Sequence, residues 1–169
     1  MSSRDELYDS VLAEFGAMLD RLAAGYEADP ERRRDLRQEI HLQVWRSLEI
    51  FDARCAMKTW VFRVGHNAAV SYVNRERRAR GGLVRLEDIE IGDPAREPDV
   101  DRERAIEFLW VLVRKLKPLD RQIMISYLEG LDNPAIAAVT GLTPANVGMK
   151  VHRIKKILAQ RFHHGRKHG

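Results

Sequence analysis

The amino-acid sequence predicts an all-α protein of two small helical domains joined by a flexible acidic linker. Apolar residues recur three and four positions apart along most of the 169 residues, and β-strand patterns are nearly absent. Glycine and proline cluster in one acidic internal stretch, which we interpret as the linker, residues 81–101. The predicted domains are therefore residues 1–80 and 102–169. With 44% hydrophobic positions, the chain can bury one ordinary core or two small ones but is too short for a multidomain enzyme.

Three amphipathic helices are predicted in the first domain. The first spans about residues 5–24 and is broken by Gly25. Asp29 followed by Pro30 begins the second helix, which runs to about residue 48. The third helix spans about residues 57–80 and ends where two glycines follow.

The second domain is predicted to contain a helix-turn-helix. Helical patterns cover about residues 100–117, 119–129, 133–139 and 143–162, and the tail from residue 163 is expected to fray. Asp132 precedes an Asn-Pro pair, Gly141 ends the short helix that follows, and Thr143-Pro144 begins the next helix. This turn of about four residues is typical of a helix-turn-helix.

The last helix is predicted to have one apolar and one basic face. Its apolar stripe is Val147, Val151, Ile154 and Leu158. The outward set comprises Asn146, Gly148, Met149, Lys150, His152, Arg153, Lys155 and Lys156. Arg, Lys and Asn can contact base edges and phosphates in the major groove, so this face is predicted to bind duplex DNA. The alternative is a solvated face with no ligand.

A second candidate face lies on the third helix. Its members fall on one side of a helical wheel, with Ser71 at the border: Trp60, Arg63, Asn67, Asn74 and Arg78. An aromatic ring and amides on a basic helix suit unpaired bases. His66 lies beside this row and is expected to be a polar surface residue rather than a metal ligand.

The second helix has a polar face with an apolar centre. Its core side is predicted to be Leu36, Ile40 and Val44. Leu42 lies in the middle of the opposite side among Asp35, Gln38, Glu39, Gln43 and Arg46. An apolar spot with a charged rim is typical of a protein interface, although single exposed leucines are also common.

The charge is unevenly distributed along the chain. The net charge is −4 over residues 1–57, +5 over 58–80, −4 over 81–104 and +7 over 105–169, which gives the total of +4. Two basic blocks flanking an acidic one indicate two contacts with a polyanion.

A single cysteine, Cys55, excludes an internal disulfide framework and fits a reducing compartment. No signal peptide or membrane-spanning segment is recognised, so we expect a cytoplasmic protein without membrane insertion.

These residues resemble bacterial RNA polymerase sigma factors of the extracytoplasmic-function group, a two-domain branch of the sigma-70-like family. DLRQEIHLQVWR, residues 35–46, is similar to the polymerase-binding helix of that family. KTWVFRVGHNA, residues 58–68, has the W-x-x-R-x-x-x-N core of its downstream-promoter helix. LKPLDRQ at 116–122 and GLTPANV at 141–147 resemble the start and the turn of its second domain. The resemblance covers nearly the whole chain.

The resemblance implies a role for each face. Core RNA polymerase would contact Asp35, Gln38, Glu39, Leu42, Gln43 and Arg46. The melted downstream promoter strand would contact Lys58, Trp60, Arg63, Asn67, Ser71, Asn74 and Arg78, and the Phe51–Thr59 loop would receive a flipped base. The outward face of the last helix, from Asn146 to Lys156, would bind upstream promoter duplex, although Gly148 stands where relatives often carry Lys or Arg.

The predicted function is therefore that of a non-enzymatic sigma factor, which binds core polymerase, directs it to promoters and promotes melting. No cofactor, metal or catalytic residue is expected, and an anti-sigma protein is a further partner that the resemblance implies. One alternative is a helix-turn-helix regulator that acts without polymerase. A third is an interaction protein that sequesters another regulator.

Overall fold

Seven α-helices make up the part of the chain that the computed structural model describes, residues 2–80 and 102–167. No β-strand occurs among those residues, and the predicted all-α class is confirmed. The linker predicted for 81–101 lies outside the described residues. The helices are α1 (Ser3–Tyr26), α2 (Pro30–Ser47), α3 (Met57–Ala79), α4 (Arg102–Arg114), α5 (Pro118–Leu128), α6 (Asn133–Thr140) and α7 (Pro144–Lys167), with a 3-10 turn (Leu48–Ile50) after α2.

Side-chain caps determine where several helices begin. Ser2 and Asp5 form a reciprocal capping box at the start of α1. Asp29 and Asp132 accept hydrogen bonds from backbone N–H groups in the first turns of α2 and α6. A cap of this kind stabilises a helix by about 1 kcal/mol, so these starts follow from local sequence.

Helices α1, α2 and α3 pack into a three-helix unit. The faces that meet are apolar, and their central side chains are fully buried: Leu19, Leu22, Leu36, Ile40 and Phe62. Because the buried stripe of α2 faces α1 and α3, its polar side must face outward. The same holds for α3, whose buried residues include Val61, Phe62, Ala68 and Ala69.

Helices α5, α6 and α7 form the second unit, and the predicted helix-turn-helix is confirmed. Helix α6 ends at Thr140, the chain turns at Gly141 with a φ of 81°, and α7 begins at Pro144. A positive φ suits glycine, which explains the sharp turn. The buried centre of this unit is Ile123, Ile136, Val147 and Ile154.

The two units are in direct contact. Helix α1 packs against α4 and α5, and α3 packs against α5 and α6, so the buried side chains form one continuous cluster. The guanidinium of Arg114 on α4 donates to the carbonyl oxygen of Ala24 on α1 at 2.8 Å. Arg121, only 4% exposed, donates to the carbonyls of Arg114 and Leu116 and thereby ties α5 to the end of α4.

Two details of the sequence prediction are wrong. Helix α7 continues to Lys167 instead of ending near residue 162, where the tail was expected to fray, and Phe162 packs against Phe108 of α4 with ring centroids 5.5 Å apart. His66 is not a surface residue but is fully buried. Its Nδ1 lies 2.7 Å from the Tyr26 hydroxyl, and its ring packs on Phe62.

Candidate nucleic-acid interface

The α2 face, defined as Asp35, Gln38, Glu39, Leu42, Gln43 and Arg46, lies on the side of α2 opposite its buried stripe. Leu42 is 40% exposed, a high value for a leucine at the centre of a helix. Glu39 and Gln43 are half-buried, and the Gln43 amide donates to Glu39 Oε1 at 3.0 Å. The α2 face thus offers an apolar spot within a polar ring, as predicted.

The α3 face comprises Lys58, Trp60, Arg63, Asn67, Ser71, Asn74 and Arg78. Its C-terminal four members, from Asn67 onward, are all exposed and follow one another along the helix. Amide and hydroxyl groups in such a row can both donate and accept hydrogen bonds, and Arg78 adds a positive charge. This part of the α3 face is open to an extended polar ligand.

The N-terminal part of the α3 face is held more tightly. Trp60 is half-buried, its indole N–H donates to Ser47 Oγ at 3.0 Å, and its ring meets Phe51 edge-on at 5.4 Å. The Arg63 guanidinium lies 5.8 Å from the centre of the Trp60 ring and 3.8 Å from the Cys55 sulfur. The Trp60 ring is thus held between Ser47 and Phe51, with the Arg63 guanidinium beside it.

The loop before α3 has an unusual backbone. Ala53 has a φ of 59°, in the left-handed region that non-glycine residues rarely adopt. Beside it, Asp52 forms an ion pair with Arg54 at 2.9 Å, and Arg54 is 88% exposed. The predicted base-receiving segment Phe51–Thr59 therefore consists of this strained loop and the first turn of α3.

Lys58 of the α3 face makes a direct contact with the end of α5. Its ammonium donates to the carbonyl oxygen of Glu129 at 2.6 Å. Glu129 directly follows α5. Sequence spacing gave no sign of this contact, because the two residues are 71 positions apart.

A groove of about 440 Å³ runs between α2 and α3 and joins the α2 face to the α3 face. Glu39 and Gln43 line one wall, and Asn67, Ser71 and Arg75 line the other. Arg75 lies 3.7 Å from Glu39 across the groove. Arg75 is not among the predicted site residues, although it follows Asn67 and Ser71 at four-residue spacing.

The α7 face comprises Asn146, Gly148, Met149, Lys150, His152, Arg153, Lys155 and Lys156. All are exposed except Gly148 and Lys150, which are half-buried, and Met149 reaches 70% exposure. The stripe opposite is buried as predicted. Helix α7 contains no Asp or Glu from Pro144 to Lys167, so its outer side is uniformly basic or neutral.

Two residues of α5 contact basic side chains of the α7 face. Asp120 on α5 lies 3.6 Å from the Lys150 ammonium and 3.7 Å from the Arg153 guanidinium. The Lys155 ammonium lies 3.1 Å from the Tyr127 hydroxyl and 5.1 Å from the centre of its ring. Neither Asp120 nor Tyr127 was predicted as a site residue, although Asp120 belongs to the LKPLDRQ motif.

Gly148 leaves space that another side chain approaches. A Cβ atom at this position would lie 3.1 Å from the amide nitrogen of Asn133, at the start of α6. Asn133 is exposed. The Asn133 amide therefore lies close to residue 148, the position at which the resemblance implies Lys or Arg in many relatives.

Within 2–80 and 102–167, no group of three or more His, Cys, Asp or Glu is placed to hold a metal ion. No helix in these two ranges is long and apolar enough to cross a membrane.

Two family models match the chain, Sigma-70 region 2 over residues 12–79 and Sigma-70, region 4 over residues 109–158. Among curated proteins, the chain is 24% identical over 168 residues to RNA polymerase sigma factor CnrH of Cupriavidus metallidurans, covering 94% of this chain and 87% of that protein. It is 23% identical over 154 residues to sigma factor NccH of Alcaligenes xylosoxydans, covering 88% of this chain and 82% of that protein.

Two solved structures share the fold. CnrH in complex with the cytosolic domain of CnrY superposes with a TM-score of 0.66 at 21% identity, covering 94% of this chain and 88% of that one. The sigma factor RpoE of Bartonella quintana, in complex with the anti-sigma factor NepR, superposes with a TM-score of 0.69 at 18% identity, covering 92% and 95%.

Proposed function

Because the chain belongs to the sigma-70 family and is a sigma factor that directs RNA polymerase to promoters, we propose that its three exposed faces bind three different partners during initiation. The observation that supports this division most strongly is that polar rows on α2, α3 and α7 each lie opposite a buried apolar stripe. Each row is therefore held outward by the core behind it.

The α2 face binds core RNA polymerase. Leu42 supplies the apolar centre, and the surrounding carboxylates, amides and Arg46 form a polar rim. Interfaces of this type concentrate their binding free energy in a few central side chains, while the rim excludes water. Removing the Leu42 side chain should therefore weaken binding to core polymerase more than removing any single rim side chain.

The α3 face holds the melted downstream promoter strand, and the Phe51–Thr59 loop receives a flipped base. Asn67, Ser71 and Asn74 provide hydrogen-bonding groups for base edges, while Arg63 and Arg78 supply positive charge for the backbone. Unstacking a base costs a few kcal/mol, which contacts with the captured strand can offset. Melting is in this way favoured without any covalent step.

The α7 face binds the upstream promoter element as duplex. A helix about 24 residues long, with basic side chains on its outer side, fits the major groove in the manner of other helix-turn-helix proteins. Arg153 and Lys156 can pair with guanine edges or phosphates, and Asn146 can pair with adenine or phosphate. The two proposed DNA faces lie on different units of the chain, α3 and α7.

The protein has no catalytic role in this account and acts in the bacterial cytoplasm, where RNA polymerase transcribes. The two solved relatives were captured with CnrY and with the anti-sigma factor NepR. An anti-sigma protein is accordingly proposed as an inhibitory partner of this chain.

Reconstitution with core polymerase tests the proposed function. The holoenzyme is incubated with fragmented genomic DNA, bound promoters are selected, and transcripts are mapped with and without the protein. Initiation that depends on both the protein and core polymerase is expected. Sequence-specific binding by the protein alone, with no core-dependent transcript from any selected fragment, would instead favour a regulator that acts without polymerase.

A further inference from the structure

A side chain of α6 lies next to the one position of the α7 face that has no side chain of its own. Gly148 is half-buried at the border of this face, one helical turn before His152. A Cβ at residue 148 would lie 3.1 Å from the amide nitrogen of Asn133, which is closer than ordinary van der Waals contact. The missing Cβ therefore allows the Asn133 amide to reach the border of the α7 face.

The backbone that carries Asn133 is well ordered by local contacts. Asn133 is the first residue of α6 and follows Asp132, which caps this helix. Asp132 Oδ1 accepts from the N–H of Ala135 at 2.9 Å, and its carbonyl oxygen accepts from the N–H of Ile136 at 2.9 Å. Pro134 has a restricted φ, which limits the backbone further. Because this turn is already ordered, binding through Asn133 loses little backbone entropy.

The Asn133 amide is available to a ligand. The side chain is exposed, and within the described part of the chain neither its oxygen nor its nitrogen has a hydrogen-bond partner. The neighbouring side chains of Asp132 and Thr143 instead accept hydrogen bonds from backbone N–H groups at the starts of α6 and α7. A carboxamide has two N–H donors and an acceptor oxygen in one plane. Asn133 thus offers both kinds of hydrogen bond, and the fold uses neither.

The chemistry around Asn133 favours a base edge over a phosphate. Asp132, exposed beside it, carries a negative charge that repels a phosphate group. A neutral carboxamide also binds phosphate less strongly than a charged side chain does. In the major groove, however, its N–H can donate to N7 of adenine while its oxygen accepts from N6. Adenine is therefore the base that suits this side chain best.

The place of Gly148 on α7 brings this amide to the part of the helix that reads bases. In helix-turn-helix proteins, residues near the start of the second helix contact base edges. Gly148 lies in the second turn of α7, between Asn146 and Met149 of the α7 face and beside them. Since glycine has no side chain, it cannot contact a base edge from this position. The Asn133 amide lies where such a side chain would begin.

We propose that Asn133 reads an adenine in the upstream promoter element, and that Gly148 provides the space for it. The proposal rests on the proposed function, in which the α7 face binds the upstream duplex. Asn133 is then a specificity-determining residue supplied by the first helix of the helix-turn-helix. A pair of hydrogen bonds to one base discriminates against the other bases by about fivefold or more.

Selection from randomised DNA tests the role of Asn133. Holoenzyme made with the full chain binds promoter fragments in which the upstream element is randomised, and sequencing of the bound fragments gives the relative affinity for each base at each position. Asn133→Ala removes the amide. Asn133→Asp keeps its shape but replaces the donor by a charged acceptor. Gln160→Ala is the matched control, because Gln160 also carries an exposed amide but lies about three turns further along α7.

We expect wild type to prefer adenine at one position, and Asn133→Ala to reduce this preference by about fivefold or more at that position alone. Gln160→Ala should retain the preference. Asn133→Asp should lose it with an unchanged or higher urea midpoint, because a negative side chain in the first turn stabilises a helix. A purely structural role for Asn133 predicts instead that Asn133→Asp retains the preference.

A substitution at Gly148 tests the space that it provides. Gly148→Val fills this space with an apolar side chain and displaces the Asn133 amide without removing it. We expect this variant to lose the adenine preference at the same position as Asn133→Ala. Because both changes act on one contact, the double variant should lose no more of the preference than either single variant does. Full retention of the preference by Gly148→Val would contradict the proposal.

Two further results would overturn the role of Asn133. One is retention of the adenine preference by Asn133→Ala, and the other is an equal loss of affinity for all sequences, which indicates a phosphate contact. Arg153→Ala, a change within the α7 face, is measured in parallel. If wild type selects no base at any upstream position, the proposed function of the α7 face fails. If Arg153→Ala relaxes a position and Asn133→Ala relaxes none, only the role of Asn133 fails.

Discussion

The Tyr26 hydroxyl on α1 lies 2.7 Å from Nδ1 of His66 on α3, and both side chains are buried. Burial lowers the pKa of His66 to about 3 and raises the pKa of Tyr26 above its usual range. His66 is therefore neutral in the folded protein across the physiological range.

This buried histidine predicts that stability falls in mild acid. Below pH 6.5 the unfolded chain protonates His66 and the folded chain does not, so the free energy of unfolding decreases by about 1.4 kcal/mol per pH unit, or about 2 kcal/mol at pH 5. The half-buried His41, whose pKa burial also lowers, adds in the same direction. Urea unfolding at pH 7.5 and 5.0 measures the loss. His66→Gln should reduce the loss of unfolding free energy between pH 7.5 and pH 5.0, while replacing the exposed His152 by Gln should not. An equal loss in wild type and in both variants would contradict the prediction that His66 stays neutral in the folded protein.

The α2 face predicts a specific defect in polymerase binding. Leu42→Asp places a charge at the apolar centre of the proposed interface and should weaken core binding tenfold or more, corresponding to about 1.4 kcal/mol. Ile106→Asp is the matched control, because Ile106 is 47% exposed but lies on α4. Competition with a labelled wild-type protein for core enzyme measures both. Equal binding by both variants would exclude Leu42 from the interface.

The contact between Asp120 and the basic side chains of α7 predicts a change in specificity. Asp120→Asn removes the charge that restrains Lys150 and Arg153 and also removes repulsion from phosphates. Affinity of the holoenzyme for unrelated duplex should rise a few-fold, and the ratio of specific to unrelated binding should fall. Anisotropy titrations at one salt concentration measure this ratio. Glu107→Gln, which neutralises an exposed acid on α4, provides the control. If the ratio of specific to unrelated binding is unchanged in Asp120→Asn, Asp120 does not position Lys150 and Arg153.

Gly148 predicts a gain of function. Gly148→Lys adds a cation to the α7 face, and the Asn133 amide, which is exposed, can move away from the new Cβ. One further phosphate contact should steepen the slope of log affinity against log salt by about 0.9. Gly16→Lys adds the same charge to α1 and should leave the slope unchanged. If the salt dependence of DNA affinity is the same for Gly148→Lys and for wild type, residue 148 does not contact the DNA.

Local patterns were sufficient to predict the helices, because each has an apolar side that the structure buries, and α1, α2, α5, α6 and α7 also begin at a side-chain cap or a proline. Long-range contacts were not predictable in this way. His66 was misplaced because the partner that makes its burial tolerable, Tyr26, is 40 residues away, and Lys58 was predicted to contact DNA without any sign of Glu129. Asp120 was missed as a site residue because its partners on α7 are 30 or more positions distant.

The outward positions of α2, α3 and α7 were predictable for a related reason. Once the apolar stripe of a helix is known, its geometry fixes the opposite side. Periodicity does not predict which residues elsewhere in the chain contact the half-buried members of a face. Trp60 illustrates this, since its indole N–H is already bonded to Ser47.

The double variant Arg63→Ala plus Asn67→Ala tests most directly the central claim that the α3 face captures the melted strand. Holoenzyme containing this variant is compared with wild type for core binding and for opening of a promoter fragment that carries a fluorescent adenine analogue in the melted region. We predict unchanged core binding and loss of the fluorescence rise that reports open-complex formation. Promoter opening at the wild-type level by the double variant would contradict the account.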